Sequence, residues 1–142
     1  MADRNVCVLG LGYVGLTLAI ALADRGFQVH GVEVRKDVLD GLAKGKPHFW
    51  EPRLEEKLSR VAKSGQFTFS EMLDGTAKGT SVYFITVGTP LDENRKARLS
   101  SVERATRQVA CHLQDGGLVI LRSTVKLGTA RSVVKPILED TG

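Results

Sequence analysis

The chain has 142 residues, of which 42% are hydrophobic and 25% are charged, and its formal net charge is +4. This length provides for one domain with one sizeable core. The mild charge, the sparse aromatic residues and the short apolar runs argue against a nucleic-acid or membrane partner. The amino terminus lacks the apolar region of a signal peptide, so we expect a cytoplasmic protein.

Strand-like and helix-like segments alternate along the chain. In chain order, the patterns predict a strand at 6–9, a helix at 13–25, a strand at 27–34, helices at 36–43 and 54–62, a strand at 67–69, a brief helix at 70–76, a strand at 81–87, a helix from Ser100 with an apolar face that reaches Leu113, a strand at 118–121 and a helix at 129–139. Strands that are apolar throughout need cover on both faces, and helices between them imply a parallel sheet. The order therefore predicts a single α/β domain.

Some residues carry expectations of their own. Ser100 and Glu103 have the spacing of a helix capping box. Pro136 is expected to kink the last helix because proline lacks a backbone donor. Cys7 and Cys111 have neither metal-ligand nor redox-pair spacing, so we expect no metal site and interpret both cysteines as small buried hydrophobic residues.

The first strand is followed by a turn rich in glycine. Gly10 permits a tight turn, Gly12 lets a pyrophosphate approach the backbone, and Gly15 lets the following helix pack close to the strand. The start of that helix offers backbone N–H groups and a positive dipole end to phosphates. The arrangement is typical of a Rossmann-like doubly wound parallel sheet with helices on both faces. The residues expected to surround the dinucleotide here are Gly10, Leu11, Gly12, Tyr13, Val14 and Gly15.

An acidic residue stands near the end of the second predicted strand. Glu33 can accept hydrogen bonds from both hydroxyls of the adenosine ribose and would repel a 2′-phosphate, which favours NAD over NADP. Val34 and Arg35 are expected at the same site. Arg35 could receive a 2′-phosphate, lie on the adenine or face water. The alternative to this interpretation is a glycine-rich turn with an unrelated surface glutamate.

Three further segments, taken with the glycine turn, carry a family resemblance. They are T-V-G-T-P at 86–90, R-S-T-V-K-L-G-T at 122–129 and G-K-P-H-F-W-E-P-R-L at 45–54. Together they resemble the UDP-glucose/GDP-mannose dehydrogenase family over nearly the whole chain, and the run 118–138 is most similar to members that oxidise UDP-N-acetylmannosamine. The chain departs from the family at Arg53, where a glycine is usual, and also at Arg35 and Arg98.

The resemblance implies an activity and assigns roles to particular residues. Members oxidise the C6 alcohol of a nucleotide-sugar to the uronate with two NAD. Val87, Gly88 and Thr89 would bind the cofactor, and Thr124 would lie near the nicotinamide in a supporting catalytic role. The alternatives are an ordinary turn at Val87–Thr89 and a helix cap at Thr124. Phe49 and Trp50 could cover a ligand, although packing on the core is favoured.

The resemblance also predicts what this chain lacks. The catalytic cysteine of the family would lie beyond Gly142, so we expect a truncated NAD-binding domain spanning 1–142 that does not oxidise sugar alone. The central dimerisation domain and the carboxyl-terminal UDP-sugar domain would be absent, and the full-length enzyme would be a homodimer or larger. Two alternatives remain: another Rossmann dehydrogenase, such as one acting on 3-hydroxy acids, and a regulatory domain that senses NAD without chemistry.

Overall fold

A computed structural model describes residues 4–140 of the chain. Five parallel strands form one sheet in the order β3-β2-β1-β4-β5. The strands are β1 (Asn5–Leu9), β2 (Gln28–Val32), β3 (Phe67–Ser70), β4 (Val82–Ile85) and β5 (Leu118–Leu121). The helices are α1 (Tyr13–Asp24), α2 (Lys36–Ala43), α3 (Leu54–Lys63), α4 (Ser100–Ala110) and α5 (Lys135–Asp140). The predicted α/β fold with a parallel sheet is confirmed.

Helices cover both faces of this sheet. Side chains alternate along a strand, so β1 sends Val6 and Val8 to one face and Cys7 and Leu9 to the other. The first face packs against α1, α2 and α3, and the second packs against α4, with Leu138 of α5 at its margin. The sheet is therefore doubly wound, as its apolar strands predict.

The brief helix predicted at 70–76 is wrong. Ser70 is the last residue of β3, and only a single 3-10 turn forms, over Gly75–Ala77. The Asp74 carboxylate accepts hydrogen bonds from the Thr76 backbone N–H at 2.8 Å and from the Thr76 hydroxyl at 2.5 Å. Such local side-chain bonds compete with helical backbone bonds and favour turns.

The capping box predicted at the start of α4 is also wrong. The residue that flanks the helix is Leu99, and it provides no side-chain cap. Ser100 therefore lies inside the first turn. Glu103 instead lies 3.9 Å from the Arg107 guanidinium, one turn further along the helix.

The kink expected at Pro136 stays a prediction; the structure has a π-helical turn over Ala130–Val134, directly before α5. The Lys135 N–H bonds to the Ala130 carbonyl, five residues back. A proline cannot donate to the carbonyl four residues before it, which weakens the regular ladder in this part of the helix.

Two predictions of burial are wrong and two are confirmed. Cys7 is fully buried, and this burial raises the pKa of its thiol to about 12. Cys111 is exposed just after the end of α4. Phe49 packs partly buried against the core, whereas Trp50 is 82% exposed.

Within residues 4–140, no helix has both the length and the apolar character needed to cross a bilayer, and no cluster of potential ligands is arranged for a metal ion.

Candidate functional site

A cavity of about 530 Å³ lies at the carboxyl ends of the strands. Its lining comes from the segments that follow β1, β2, β4 and β5, and from one face of α4. β1 stands between β2 and β4. The chain continues from β1 into α1 on one face of the sheet and from β4 to α4 on the other face. Ligands of open α/β sheets bind at such a switch point.

The glycine turn at this edge is packed tightly on its protein side. Gly10 has a φ of +95°, and a Cβ there would come within 2.8 Å of the Thr86 carbonyl carbon. A Cβ at Gly15 would lie 1.7 Å from the Gly10 carbonyl oxygen. By contrast, a Cβ at Gly12 would meet nothing within 4 Å. Packing therefore demands glycine at the first and third positions, as predicted, but not at Gly12, which borders the cavity.

The first turn of α1 faces the cavity with its backbone donors. Gly12 flanks the helix in an extended conformation, and the Leu16 N–H is bonded to its carbonyl at 2.9 Å. The N–H groups that precede Leu16 belong to the first turn, where a helix provides no carbonyl partner. Tyr13 and Val14 both line the cavity and are exposed. The arrangement can bind an anion through N–H groups and the helix dipole.

Thr86 holds the glycine turn in place from the neighbouring strand. Its backbone N–H donates to the Leu9 carbonyl at 2.8 Å. Its hydroxyl lies 2.7 Å from the Gly10 carbonyl oxygen and 3.0 Å from that of Leu9. Thr86 belongs to the T-V-G-T-P segment, but the sequence pattern did not identify it as the support of the turn.

Glu33 lies directly beside the glycine turn, because β1 and β2 are paired neighbours. The residue is only 9% exposed. One carboxylate oxygen accepts the Leu11 N–H at 2.9 Å, and the other accepts the Arg35 N–H at 3.1 Å. Each oxygen retains a further acceptor site for a ligand hydroxyl. The expected neighbourhood of the acid and the turn is confirmed; its contact with a ribose stays a prediction.

Leu11 has a different position from the rest of the turn. Its side chain is fully buried against Gly31, where a Cβ would lie 2.8 Å from the leucine Cδ1. Its backbone N–H is already bonded to Glu33. Leu11 therefore holds the Glu33 carboxylate through its backbone N–H without lining the cavity, whereas Gly10 and Gly12 line it.

Arg35 is engaged with an acidic neighbour. Its guanidinium forms a two-point contact with Asp37, with nitrogen–oxygen distances of 2.6 and 3.3 Å. The hydrogen bond from Arg35 holds the pKa of Asp37 below its usual range. Both side chains are exposed, so the pair contributes little to stability. The pair nevertheless holds the Arg35 guanidinium against the Asp37 carboxylate. Val34, the residue before Arg35, is exposed and lines the cavity.

Two hydrogen bonds tie together the loops that follow β4 and β5, and both loops line the cavity. The Thr89 hydroxyl donates to the Thr124 carbonyl at 2.6 Å. The Ser123 hydroxyl donates to the Val87 carbonyl at 2.7 Å. Val87, Gly88, Thr89 and Thr124 all line the cavity, so the structure brings these predicted residues together.

The connection between α2 and α3 contacts the first turn of α1 beside the cavity. The Tyr13 hydroxyl donates to the Glu51 carboxylate at 2.7 Å, a bond that raises the pKa of Tyr13. The Tyr13 and Phe49 ring centroids are 4.8 Å apart. Arg53 precedes α3 with a φ of +65°, the left-handed conformation that glycine adopts without strain. The backbone at Arg53 thus has a conformation that favours glycine, the residue usual at this position in the family that the chain resembles.

Several residues of the cavity were not predicted from sequence. His48, from the α2–α3 connection, and Pro90, Arg122 and Ser123, from the strand ends, belong to it. Four more residues come from α4: Ser101, Arg104, Ala105 and Gln108. Their spacing of three, four and seven is that of one helix face, which is the signal that could have found them. Neither Cys7 nor Cys111 lines this cavity.

Comparisons with known proteins agree on a single assignment. Residues 4–142 match the family described as UDP-glucose/GDP-mannose dehydrogenase family, NAD binding domain. The UDP-N-acetyl-D-mannosamine dehydrogenase of Pyrococcus horikoshii is 36% identical over 138 residues, covering 97% of this chain and 32% of that protein. The UDP-glucose 6-dehydrogenase of Pseudomonas aeruginosa is 37% identical, covering 91% of this chain and 28% of that protein.

A solved structure is similar in three dimensions. The ternary complex of GDP-mannose dehydrogenase from Pseudomonas aeruginosa superposes with a TM-score of 0.88 at 34% identity, covering 96% of this chain and 32% of that one. The chain thus spans about a third of the length of these relatives. The relatives act on three different nucleotide-sugars at nearly equal identity, so identity alone does not separate the substrates.

Proposed function

Since this chain belongs to the UDP-glucose/GDP-mannose dehydrogenase family as its NAD-binding domain, we propose that it serves an enzyme that oxidises the C6 alcohol of a UDP-sugar. The substrate would be of the UDP-N-acetylmannosamine or UDP-glucose type. The observation that carries the binding of NAD is the buried Glu33 carboxylate, bonded to the N–H of Leu11 beside the turn at the start of α1, and the sugar oxidation depends on family membership. Family membership argues against both a 3-hydroxy acid dehydrogenase and an NAD sensor without chemistry.

The cavity suits the two halves of a dinucleotide. The pyrophosphate would lie on the N–H groups at the start of α1, where Gly12 leaves open space that packing does not require. Glu33 would accept hydrogen bonds from the adenosine ribose with its remaining acceptor sites. Bound NAD supplies the acceptor for the hydride that leaves the substrate carbon. The residues of this chain would bind the dinucleotide and orient it.

The charges at the adenosine end favour NAD over NADP. A 2′-phosphate would approach the Glu33 carboxylate, which is buried and thus poorly screened. Arg35 is the nearest cation in sequence, but it is already paired with Asp37. For Arg35 to receive the 2′-phosphate, its guanidinium would have to leave Asp37, and the phosphate would still meet Glu33.

The tied loops after β4 and β5 would hold the nicotinamide end. Thr89 keeps acceptor capacity on its hydroxyl while it donates to Thr124. The Thr124 side chain borders the cavity and is exposed. Thr124 would position a water or the reacting carbonyl, and Thr89 would contact the cofactor.

We expect this chain to bind NAD without oxidising sugar. A cysteine nucleophile of the kind expected for the second oxidation is missing from the cavity, since Cys7 is fully buried and Cys111 is exposed elsewhere. The nucleophile, most sugar contacts and the dimer interface would be contributed by the remainder of a longer enzyme, which would be a homodimer or larger.

Isothermal titration of the 142-residue chain with NAD and NADP tests the proposal, together with an assay of NADH formation on UDP-sugars and GDP-mannose. We expect saturable NAD binding, weaker NADP binding and no NADH formation. Gly12→Val is the matched variant. A Cβ at this position would meet no protein atom within 4 Å, but the valine side chain would occupy the space proposed for the pyrophosphate. Failure of the wild-type chain to bind NAD would overturn the proposal, and sugar oxidation by the chain alone would overturn its catalytic part.

A further inference from the structure

One face of α4 forms a wall of the cavity. Ser101, Arg104, Ala105 and Gln108 line the cavity from this helix. Val102, Thr106 and Val109 are buried beneath it. Glu33, Val34 and Arg35, which follow β2, line the same cavity. Ala105 of α4 belongs to one hydrophobic cluster with Val32, the residue before Glu33, so α4 lies beside the end of β2.

The charged and amide side chains of this region differ in how far they are already engaged. Arg35 is paired with Asp37, and Arg107 lies near Glu103. The Gln108 amide oxygen accepts the Leu73 N–H at 2.9 Å. Among residues 4–140, no ion pair or side-chain hydrogen bond involves the Arg104 guanidinium.

We propose that Arg104 binds the adenine base of the dinucleotide, with its planar guanidinium against the face of the ring. This inference depends on the proposed NAD function. Glu33 would hold the ribose at the end of β2, and the base attached to that ribose must then lie beside the walls that border this end. Val34 contributes an exposed apolar surface to the lining of the cavity, and Arg104 contributes a cation.

A guanidinium is well suited to this role. It is planar, always charged and weakly hydrated, and it stacks on aromatic rings. Because Arg104 is exposed and has no partner within the described chain, no existing contact has to break when the base arrives. Lysine carries the same charge without the plane, so Arg104→Lys separates stacking from simple attraction.

The test compares NAD with AMP, which carries adenine without the nicotinamide half. We expect Arg104→Ala to weaken the binding of both ligands by the same factor, about three- to thirtyfold, the range for an exposed to a desolvated cation–ring contact. Arg104→Lys should recover less than half of the lost free energy. Arg107→Ala is the matched control, because Arg107 lies on the same helix but does not line the cavity; its NAD affinity should stay within about twofold of wild type. Thermal unfolding without ligand should be alike for all the chains.

The outcomes are separable. If the wild-type chain binds neither NAD nor AMP, the proposed function itself fails. If it binds NAD and Arg104→Ala binds both ligands equally well, only the role of Arg104 is refuted. A loss for NAD without a loss for AMP would place Arg104 away from the adenine, and full recovery with Arg104→Lys would show charge without stacking; either result overturns the proposal.

Discussion

Replacement of Glu33 by glutamine changes one oxygen to an amide nitrogen at a site where both oxygens accept backbone N–H groups. The Leu11 N–H lies 2.9 Å from one oxygen, and the Arg35 N–H lies 3.1 Å from the other. Glutamine can accept only one of these bonds, and its NH₂ group would face the other donor. The site is 9% exposed, so water compensates poorly.

The expected loss follows from these contacts. Leaving a buried donor unsatisfied costs about 1–3 kcal/mol, and the surviving bond is weakened because its acceptor is no longer charged. For a chain of this size, that loss corresponds to a decrease in Tm of roughly 3–10 °C. The decrease should be present without any ligand, because both donors belong to the protein.

The measurement is thermal and urea unfolding of the ligand-free chain. Glu55→Gln is the control, since Glu55 is an exposed carboxylate on α3 and its loss should change stability by less than about 0.5 kcal/mol. If Glu33→Gln unfolds at the same temperature and urea midpoint as wild type, the carboxylate does not support the glycine turn in the way its hydrogen bonds indicate.

Three further predictions follow from backbone geometry and burial. Gly15→Ala should destabilise the chain by more than about 3 kcal/mol or prevent folding, because its Cβ would lie 1.7 Å from the Gly10 carbonyl oxygen; urea unfolding checks this, and a stable variant would contradict the packing. Arg53→Gly should raise the free energy of unfolding by about 0.5–1 kcal/mol, since relief of roughly 1–2 kcal/mol of left-handed strain exceeds the added entropy of the unfolded chain; a loss of stability would show that the arginine side chain makes a stabilising contribution. Iodoacetamide at pH 8 should label Cys111 and spare Cys7, whose thiol is buried with its pKa raised to about 12; mass spectrometry after digestion identifies the labelled residue, and equal labelling of both would contradict this.

Local rules were sufficient for some of the fold and the site. The spacing of Gly10 and Gly15 predicted a close approach that the structure confirms, because only a residue without a Cβ can occupy such backbone positions. The apolar strands predicted a sheet covered on both faces. Local rules failed where two local preferences competed. The segment after β3 became a turn because Asp74 bonds to Thr76, and Ser100 entered the helix that it was expected to cap.

The sequence by itself determined the glycine turn, the acid that follows the second strand and the order of the elements, because each depends on neighbours close in the chain or on a regular period. Only the tertiary structure decided which distant groups meet. In the folded chain, Thr89 bonds to Thr124, Tyr13 bonds to Glu51, and Arg104 lines the cavity. Such contacts depend on the path of the whole chain around the sheet, and no local spacing encodes that path.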